Sequence, residues 1–373
     1  MRAWGSPDKY IQGSNILSDI GVYVAHFGEK FTIVMDPIFI EDYQSVIQES
    51  ILKKNSASNI QFIEFDQQIT RKNIDHLYNK VSSFSPEVII SIGGGKIIDA
   101  VKVLSNRLTI PMIICPTVAS TDAPTSGMSI IYDDSGAVIE IALFDKNPNL
   151  VLVDTLLISK APVRFFISGI GDALSTYFEA IANKKLCHSN YILNTYGAFE
   201  STLSAHAIAK ECYSILCKNS RLAVKSINEN ILNQYVEDII EANILMSGLG
   251  FENCGCSIAH GIGNAIAALP GGVKALHGER VAFGTLCQLV AADYSNEQIM
   301  EFLELCTSIE LPVSLTDLGI EKNELNIRKI AEISLEAESM QVNPQKLTIT
   351  DVISIIKTAN LLGKEAKSKF EKV

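Results

Sequence analysis

No stretch of the 373-residue chain reaches the roughly 18 uninterrupted apolar residues that a membrane-spanning helix needs. Blocks of lysine and arginine are also missing, and the formal net charge is -11, which argues against nucleic acid or an anionic membrane as the partner and for a small molecule. Residues 1–9 lack the apolar run of a secretory signal, so a cytoplasmic protein is expected. The eight cysteines, at positions 115, 187, 212, 217, 254, 256, 287 and 306, sit mostly in apolar helical patterns and read as buried free thiols. Cys254-Gly255-Cys256 has no second cysteine pair to complete a closed structural zinc site. Neither a Walker A loop nor the G-x-G-x-x-G fingerprint occurs, and there is no repeat and no Gly/Ser or Pro linker, so two tightly packed halves with a cleft between them are expected.

What is present is an apolar, soluble-type composition, 47% hydrophobic and 20% charged, over a length that suits two domains. From residue 9 to about 154, strand-like and helix-like periods alternate. Strands are expected at 9–13, 31–35, 60–64, 87–92, 111–115 and 149–154, helices at 14–25, 41–53 and 70–81, and a hairpin at 128–142 around Asp133 to Gly136. This order means a parallel sheet with helices on both faces. The strand at 87–92 runs into Gly93-Gly94-Gly95-Lys96 and then into a helix, an order that presents backbone N–H groups and a helix dipole to a phosphate; a tight turn explains three glycines as well. Asp36 ends an earlier strand, where a carboxylate can bond a ribose hydroxyl and repel a 2′-phosphate, favouring NAD over NADP. The loop Pro116-Thr117-Val118-Ala119-Ser120-Thr121-Asp122-Ala123-Pro124-Thr125-Ser126 is dense in hydroxyls at the carboxyl edge of the sheet, either as a ligand loop or as a turn that caps itself.

After about residue 162 strand patterns cease and helical periods take over, at 163–184, 191–217, 231–248, 257–268 and 277–293, with residues 364–373 reading as a solvated helix end. The expected domains are 1–161, α/β, and 162–373, helical. His260 and His277 each lie beside glycine in this half, on either side of a Pro270-Gly271-Gly272 turn. Histidines in apolar helices are usually packed core residues, but Asp172, set among small and apolar residues, needs a base, a helix end or a cation as partner. Together the three make a two-histidine, one-carboxylate set with an open fourth position, as in a catalytic zinc site.

Gly93-Gly94-Gly95-Lys96 with Asp99, the Ser120-Thr121-Asp122-Ala123-Pro124-Thr125-Ser126 run, Gly169-Ile170-Gly171-Asp172, and the Ala259-His260-Gly261 and Leu276-His277-Gly278-Glu279-Arg280 segments resemble the glycerol dehydrogenases of the group III, iron-type alcohol dehydrogenases. The resemblance implies an N-terminal Rossmann-like domain and a C-terminal all-helical domain, as in dehydroquinate synthase. It implies metal ligands Asp172, His260 and His277, with zinc usual and iron or manganese accepted by the same donors. The cofactor-binding set it implies is Gly94, Gly95, Lys96, Asp99, Thr117 and Ser120, with Asp36 near the adenosine ribose of NAD. Asp122 is implied beside substrate and nicotinamide as the catalytic residue. It further implies a small polyol or hydroxyketone substrate and a homo-oligomer formed through the helical domain. Two departures stand out: Gly263 where similar enzymes carry a second histidine, and Val273-Lys274 where they often carry more. The rival readings are a metal- and NAD-dependent cyclase like dehydroquinate synthase, for which the segments around the histidines supply only Lys274 and Arg280 as cations, and a catalytically impaired nucleotide-binding homologue.

Overall fold

The structure, a computed structural model, describes residues 1–134, 136, 138–192, 198–343 and 346–370. It divides into two compact units, one of Gly5–Ala119 and Ala123–Ala161, the other of Met1–Trp4, Ser120–Asp122 and Pro162–Val373.

The first unit carries strands β1 (Tyr10–Gly13), β2 (Lys30–Met35), β3 (Asn59–Glu64), β4 (Val88–Gly93), β5 (Met112–Pro116), β6 (Met128–Tyr132), β7 (Val138–Leu143) and β8 (Leu150–Asp154), with helices α1 (Ile20–Val24), α2 (Ile40–Lys54), α3 (Arg71–Phe84), α4 (Gly95–Leu108) and α5 (Thr155–Ser159). Six strands form one sheet in the order β1-β8-β5-β4-β2-β3, every neighbouring pair parallel. β4 and β8 are buried along their whole length because helices cover both sheet faces, which is why both read as unbroken apolar runs. Phe31, Ile33 and Met35 alternate with Val88, Ile90 and Ile92 onto one face and pack with Ile47 and Ile51 of α2. Full burial stabilises by about 1.5–3 kcal/mol for each such side chain. β6 and β7 form a separate antiparallel pair, as the hairpin pattern predicts. Residues 135 and 137, in and beside the expected turn, lie outside the described residues.

The helix expected at 14–25 is instead a 3-10 turn, Ile16–Asp19, followed by the short α1. The reason is Asp154 at the end of β8. Its carboxylate accepts the N–H groups of Asn15 (3.0 Å), Leu17 (2.9 Å) and Leu157 (3.1 Å), so the segment is fastened by a side chain before a regular helix begins.

The second unit is helical: α6 (Val163–Leu186), α7 (Leu203–Asn228), α8 (Gln234–Glu241), α9 (Ser247–Cys254), α10 (Ile258–Ile266), α11 (His277–Ala291), α12 (Asn296–Ser308), α13 (Glu324–Leu335) and α14 (Ile349–Phe370). The period expected to open at 191 becomes helical only at Leu203, where the Thr202 hydroxyl accepts the Ala205 N–H and caps α7; residues 193–197 lie outside the described residues. The period at 231–248 is broken by a π-helical segment, Ala242–Met246, between α8 and α9. Residues 371–373 of the expected solvated end are likewise outside the described residues. Among the described residues no helix is long and apolar enough to cross a membrane.

Candidate metal and active site

Three helices of the second unit bring the two histidines and Asp172 together, and glycine permits it. A Cβ on Gly278 would meet the Ser168 carbonyl oxygen at 1.7 Å, and one on Gly171 would meet the Gly278 carbonyl oxygen at 2.5 Å. α6 and α11 therefore cross backbone to backbone, and the residues next to those glycines are Asp172 and His277. At the α10–α11 crossing, Gly284 lies against the Ala259 carbonyl, where a Cβ would come within 2.1 Å, next to His260.

At this junction Asp172 Oδ1 stands 3.5 Å from His260 Nε2 and 3.3 Å from His277 Nε2. For a tetrahedral ion with ligand bonds of about 2.0–2.1 Å, donors lie about 3.3 Å apart, so these separations fit a shared cation. Asp172 Oδ1 is also buried and accepts no hydrogen bond, which would be costly unless something else satisfies it. Burial alone would raise the Asp172 carboxyl, but the His277 and His260 imidazoles outweigh it and hold it below the ordinary carboxylate range. Asp172 and His260 are enclosed while the His277 side chain is 31% exposed, so the site has one open side. The residues present fit a divalent metal.

Sequence reasoning missed Glu179. Its carboxylate, fully buried, accepts His260 Nδ1 at 2.7 Å, the backbone N–H groups of Ser257 (2.7 Å) and His260 (3.1 Å), and the Ser175 hydroxyl (3.2 Å). With a proton held at Nδ1, the Nε2 lone pair faces Asp172, which is the arrangement a metal-ligating histidine requires. A signal was there: Glu179 lies seven residues after Asp172, two turns along the same face of an apolar helix. His277 is fixed from a different side, since Glu279 accepts the Leu276 N–H at 2.7 Å and pairs with Arg164 at 2.6 and 2.7 Å.

Asp122 belongs to this helical unit and not to the sheet unit whose loop carries it in sequence. Its N–H reaches Asp172 Oδ2 at 3.4 Å, and its own Oδ2 accepts the Ser247 hydroxyl at 2.8 Å, with Thr176 Oγ1 2.9 Å further on. Ser247 follows the π-helical segment directly, so that extra residue per turn sets the rotation at which Ser247 faces Asp122. Burial and the neighbouring Asp172 carboxylate push the Asp122 carboxyl well above its ordinary range. Ser120, in the same unit, accepts the Ser168 hydroxyl at its carbonyl, 3.3 Å away.

The remaining expected cofactor residues lie in the sheet unit. Asp36, Gly94 with Gly95, and Thr117 follow β2, β4 and β5, three adjacent strands, at their carboxyl ends. Chain connections leave β2 toward β3 and β4 toward β5 in opposite directions, so Asp36 and Gly94 flank the crevice where open α/β sheets take ligands. Gly94 caps α4, and a Cβ added to Gly95 would meet nothing within 4 Å, which leaves the first N–H groups of α4 approachable. Lys96 is exposed beside them. Asp36 also accepts the Ile38 N–H, and the Thr117 N–H donates to the Gly93 carbonyl. Asp99 faces elsewhere: its carboxylate accepts the Ile130 N–H at 3.2 Å and its carbonyl accepts the Ser129 hydroxyl, fastening the β6–β7 hairpin to α4. Burial pushes that carboxyl up to about 6 against the pull of the Lys102 ammonium. Lys102, fully buried, donates to Ser126 Oγ (3.1 Å) and to the Ala123 and Met128 carbonyls (2.5 and 2.9 Å), so the hydroxyl-rich loop is anchored from beneath.

Of the two departures in sequence, Gly263 sits at the α10–α11 contact: a Cβ there would lie 3.2 Å from Val281, a tight fit that asks the neighbour to give by a few tenths of an ångström. Lys274 is exposed on the 3-10 turn Gly272–Lys274, and its carbonyl accepts from Arg164 at 3.2 Å.

The sequence profile of the iron-containing alcohol dehydrogenases matches residues 7–155. A glycerol dehydrogenase from Thermotoga maritima is 34% identical over 369 residues, 97% of this chain and 98% of that protein. A glycolaldehyde reductase from Halobacterium salinarum is 32% identical over 366 residues, 98% of each. The crystal structure of glycerol dehydrogenase from Schizosaccharomyces pombe superimposes with a TM-score of 0.92 at 31% identity, covering 100% of this chain and 94% of that one. Near-full-length identity above 30%, a shared fold, and a two-histidine, one-aspartate cluster built on helix crossings agree: the chain belongs to the iron-containing alcohol dehydrogenase family.

Proposed function

We propose that this protein is an NAD-linked, metal-dependent dehydrogenase that interconverts glycerol, or a similar vicinal diol, with the corresponding hydroxyketone. The observation that carries the metal part is the unpartnered Asp172 Oδ1, buried between two imidazole nitrogens at the spacing of a tetrahedral cation. Asp172, His260 and His277 would hold the metal, Zn²⁺ in the first instance, with Fe²⁺ or Mn²⁺ compatible with the same donors. A divalent cation there supplies Lewis acidity, which brings an alcohol's proton loss close to neutral pH or polarises a carbonyl in the reverse direction. Bound NAD supplies the hydride acceptor.

The chain's own residues do the rest. Glu179 keeps a proton at His260 Nδ1, so Nε2 stays a donor to the cation. Asp122, held through Ser247, orients the second hydroxyl of a vicinal diol; with its carboxyl raised by burial, it can donate an O–H as well as accept one. Gly94, Gly95 and Lys96 hold the pyrophosphate at the start of α4, and Asp36 takes the adenosine ribose. Glycerol and glycolaldehyde, which name the activities of the similar proteins, share oxygens on adjacent carbons, and this supports a vicinal substrate. The cyclase reading loses support because the segments around the histidines supply only Lys274 and Arg280 as cations for a phosphorylated sugar, and Arg280 donates to the Gly272 carbonyl.

The test is NADH absorbance with glycerol, propane-1,2-diol, propan-1-ol, dihydroxyacetone and glycolaldehyde. Metal-dependent turnover of the vicinal compounds, well above that of propan-1-ol, is expected; no turnover of any diol or carbonyl would overturn the reading. Asp122→Asn should lower kcat/KM for the diols by on the order of 10²-fold and act less on the mono-alcohol. Equal, unchanged rates on both would remove Asp122 from the mechanism.

A further inference from the structure

His260 has two nitrogens, and the second one faces its own cluster of donors. An imidazole nitrogen of His260, a Glu179 carboxylate oxygen and Cys256 Sγ lie within 4.8 Å of one another, Glu179 meeting Nδ1 at 2.7 Å, and all three residues are shut away from solvent or nearly so. The cluster is firmly built. Gly255, at a positive φ of 86°, turns the chain between α9 and α10, and the Asn183 side chain on α6 donates to the Cys256 carbonyl at 3.0 Å. The next N–H, of Ser257, is taken by Glu179 at 2.7 Å. Cys256 is thereby clamped against the same helix face that presents Glu179.

We propose that Cys256, Glu179 and His260 through Nδ1 form a second, thiophilic cation site that competes with the Asp172–His260–His277 site for a single imidazole. Around zinc, sulfur and nitrogen ligands at about 2.3 and 2.0 Å stand about 3.3–3.8 Å apart, so an ion is admitted once the 2.7 Å contact between Glu179 and His260 Nδ1 opens by about half an ångström. One thiolate and one carboxylate neutralise a divalent ion, which suits a buried position. Thiolate ligation selects soft ions, Cd²⁺ or excess Zn²⁺, over Mg²⁺ or Mn²⁺. Binding releases the Cys256 thiol proton to solvent and moves the imidazole proton from Nδ1 to Nε2. A neutral imidazole carries one lone pair, so the proton now on Nε2 points at Asp172 and removes a ligand from the first site. A soft cation here acts as an antagonist of the metal that the family chemistry requires. The inference holds whatever alcohol the enzyme oxidises.

The test is Cd²⁺ titration of the chelator-stripped protein, followed by the ultraviolet sulfur-to-metal charge-transfer band. The wild type should develop the band at one equivalent. Cys256→Ser should lose it, whereas His277→Ala, which disables only the first site, and Cys254→Ser, whose thiol lies toward His206 instead, should keep it. X-ray absorption of the wild-type cadmium form needs no variant and should show one sulfur with nitrogen and oxygen neighbours. A band that persists in Cys256→Ser or vanishes in His277→Ala, or a cadmium shell without sulfur, overturns the proposal.

Discussion

Replacing Glu179 by glutamine changes one heavy atom and isolates the link between α6 and the candidate metal ligand His260. In the wild type, Oε1 accepts two backbone N–H groups, of Ser257 at 2.7 Å and His260 at 3.1 Å, while Oε2 accepts His260 Nδ1 at 2.7 Å. The glutamine oxygen must remain with the two N–H groups, because turning the amide over would set an NH₂ against both. The NH₂ then faces Nδ1, which can only accept, so the imidazole proton moves to Nε2 and points at Asp172. Loss of such a supporting contact lowers metal affinity about 10–100-fold. At about 1.4 kcal/mol per factor of ten, that is roughly 1.4–2.8 kcal/mol. The assay is competition for Zn²⁺ between the protein and a chromophoric chelator, with circular dichroism to establish that the helices are intact. An affinity within about twofold of wild type, with the fold preserved, would refute the argument that Glu179 sets the tautomer of His260.

Gly278→Ala places a methyl group against the Ser168 carbonyl, where a Cβ would lie at 1.7 Å. Forced separation of α6 and α11 should cost about 1–3 kcal/mol in urea denaturation and weaken metal binding along with it, whereas stability equal to wild type would mean the crossing is loose. Asp317 offers a pH test. Burial would raise its carboxyl, but the Lys367 ammonium at 2.7 Å and the Ser314 hydroxyl outweigh it and hold it below the ordinary range. A carboxyl depressed in the folded state contributes stability above its unfolded pKa of about 3.9, and loses it as pH falls through the lower folded value. Lys367→Met should therefore flatten the acid side of the stability profile below about pH 4, measured as urea midpoints; an unchanged slope would remove Asp317 as its source.

The sheet unit was legible because its signals are local. An apolar run that enters three glycines and then a helical period leaves little choice for β4, α4 and the turn between them, and the parallel order follows from the alternation. The candidate metal triad was legible as residue types, but its geometry depends on the Gly171–Gly278 crossing between residues about a hundred apart in sequence. Glu179 shares a helix face with Asp172 two turns earlier, but its partner His260 lies 81 residues on, and packing alone brings the two together. The assignment of Asp122 to the helical unit and the π-helical segment that aims Ser247 at it are likewise tertiary, since no periodicity marks where one extra residue enters a turn. Asp99, grouped by its motif with the nucleotide loop, spends its carboxylate on the hairpin backbone, a partner that sequence neighbours do not disclose.

The central claim is that turnover depends on a cation held by Asp172, His260 and His277. Its most direct test is NADH formation on the best substrate of the panel, by chelator-stripped wild type and His277→Ala, before and after Zn²⁺, Fe²⁺ or Mn²⁺ is returned. The account predicts that stripping abolishes turnover, that at least one ion restores it to the wild type, and that none restores it to the variant. Undiminished turnover in the stripped protein, or equal recovery by His277→Ala, would contradict it.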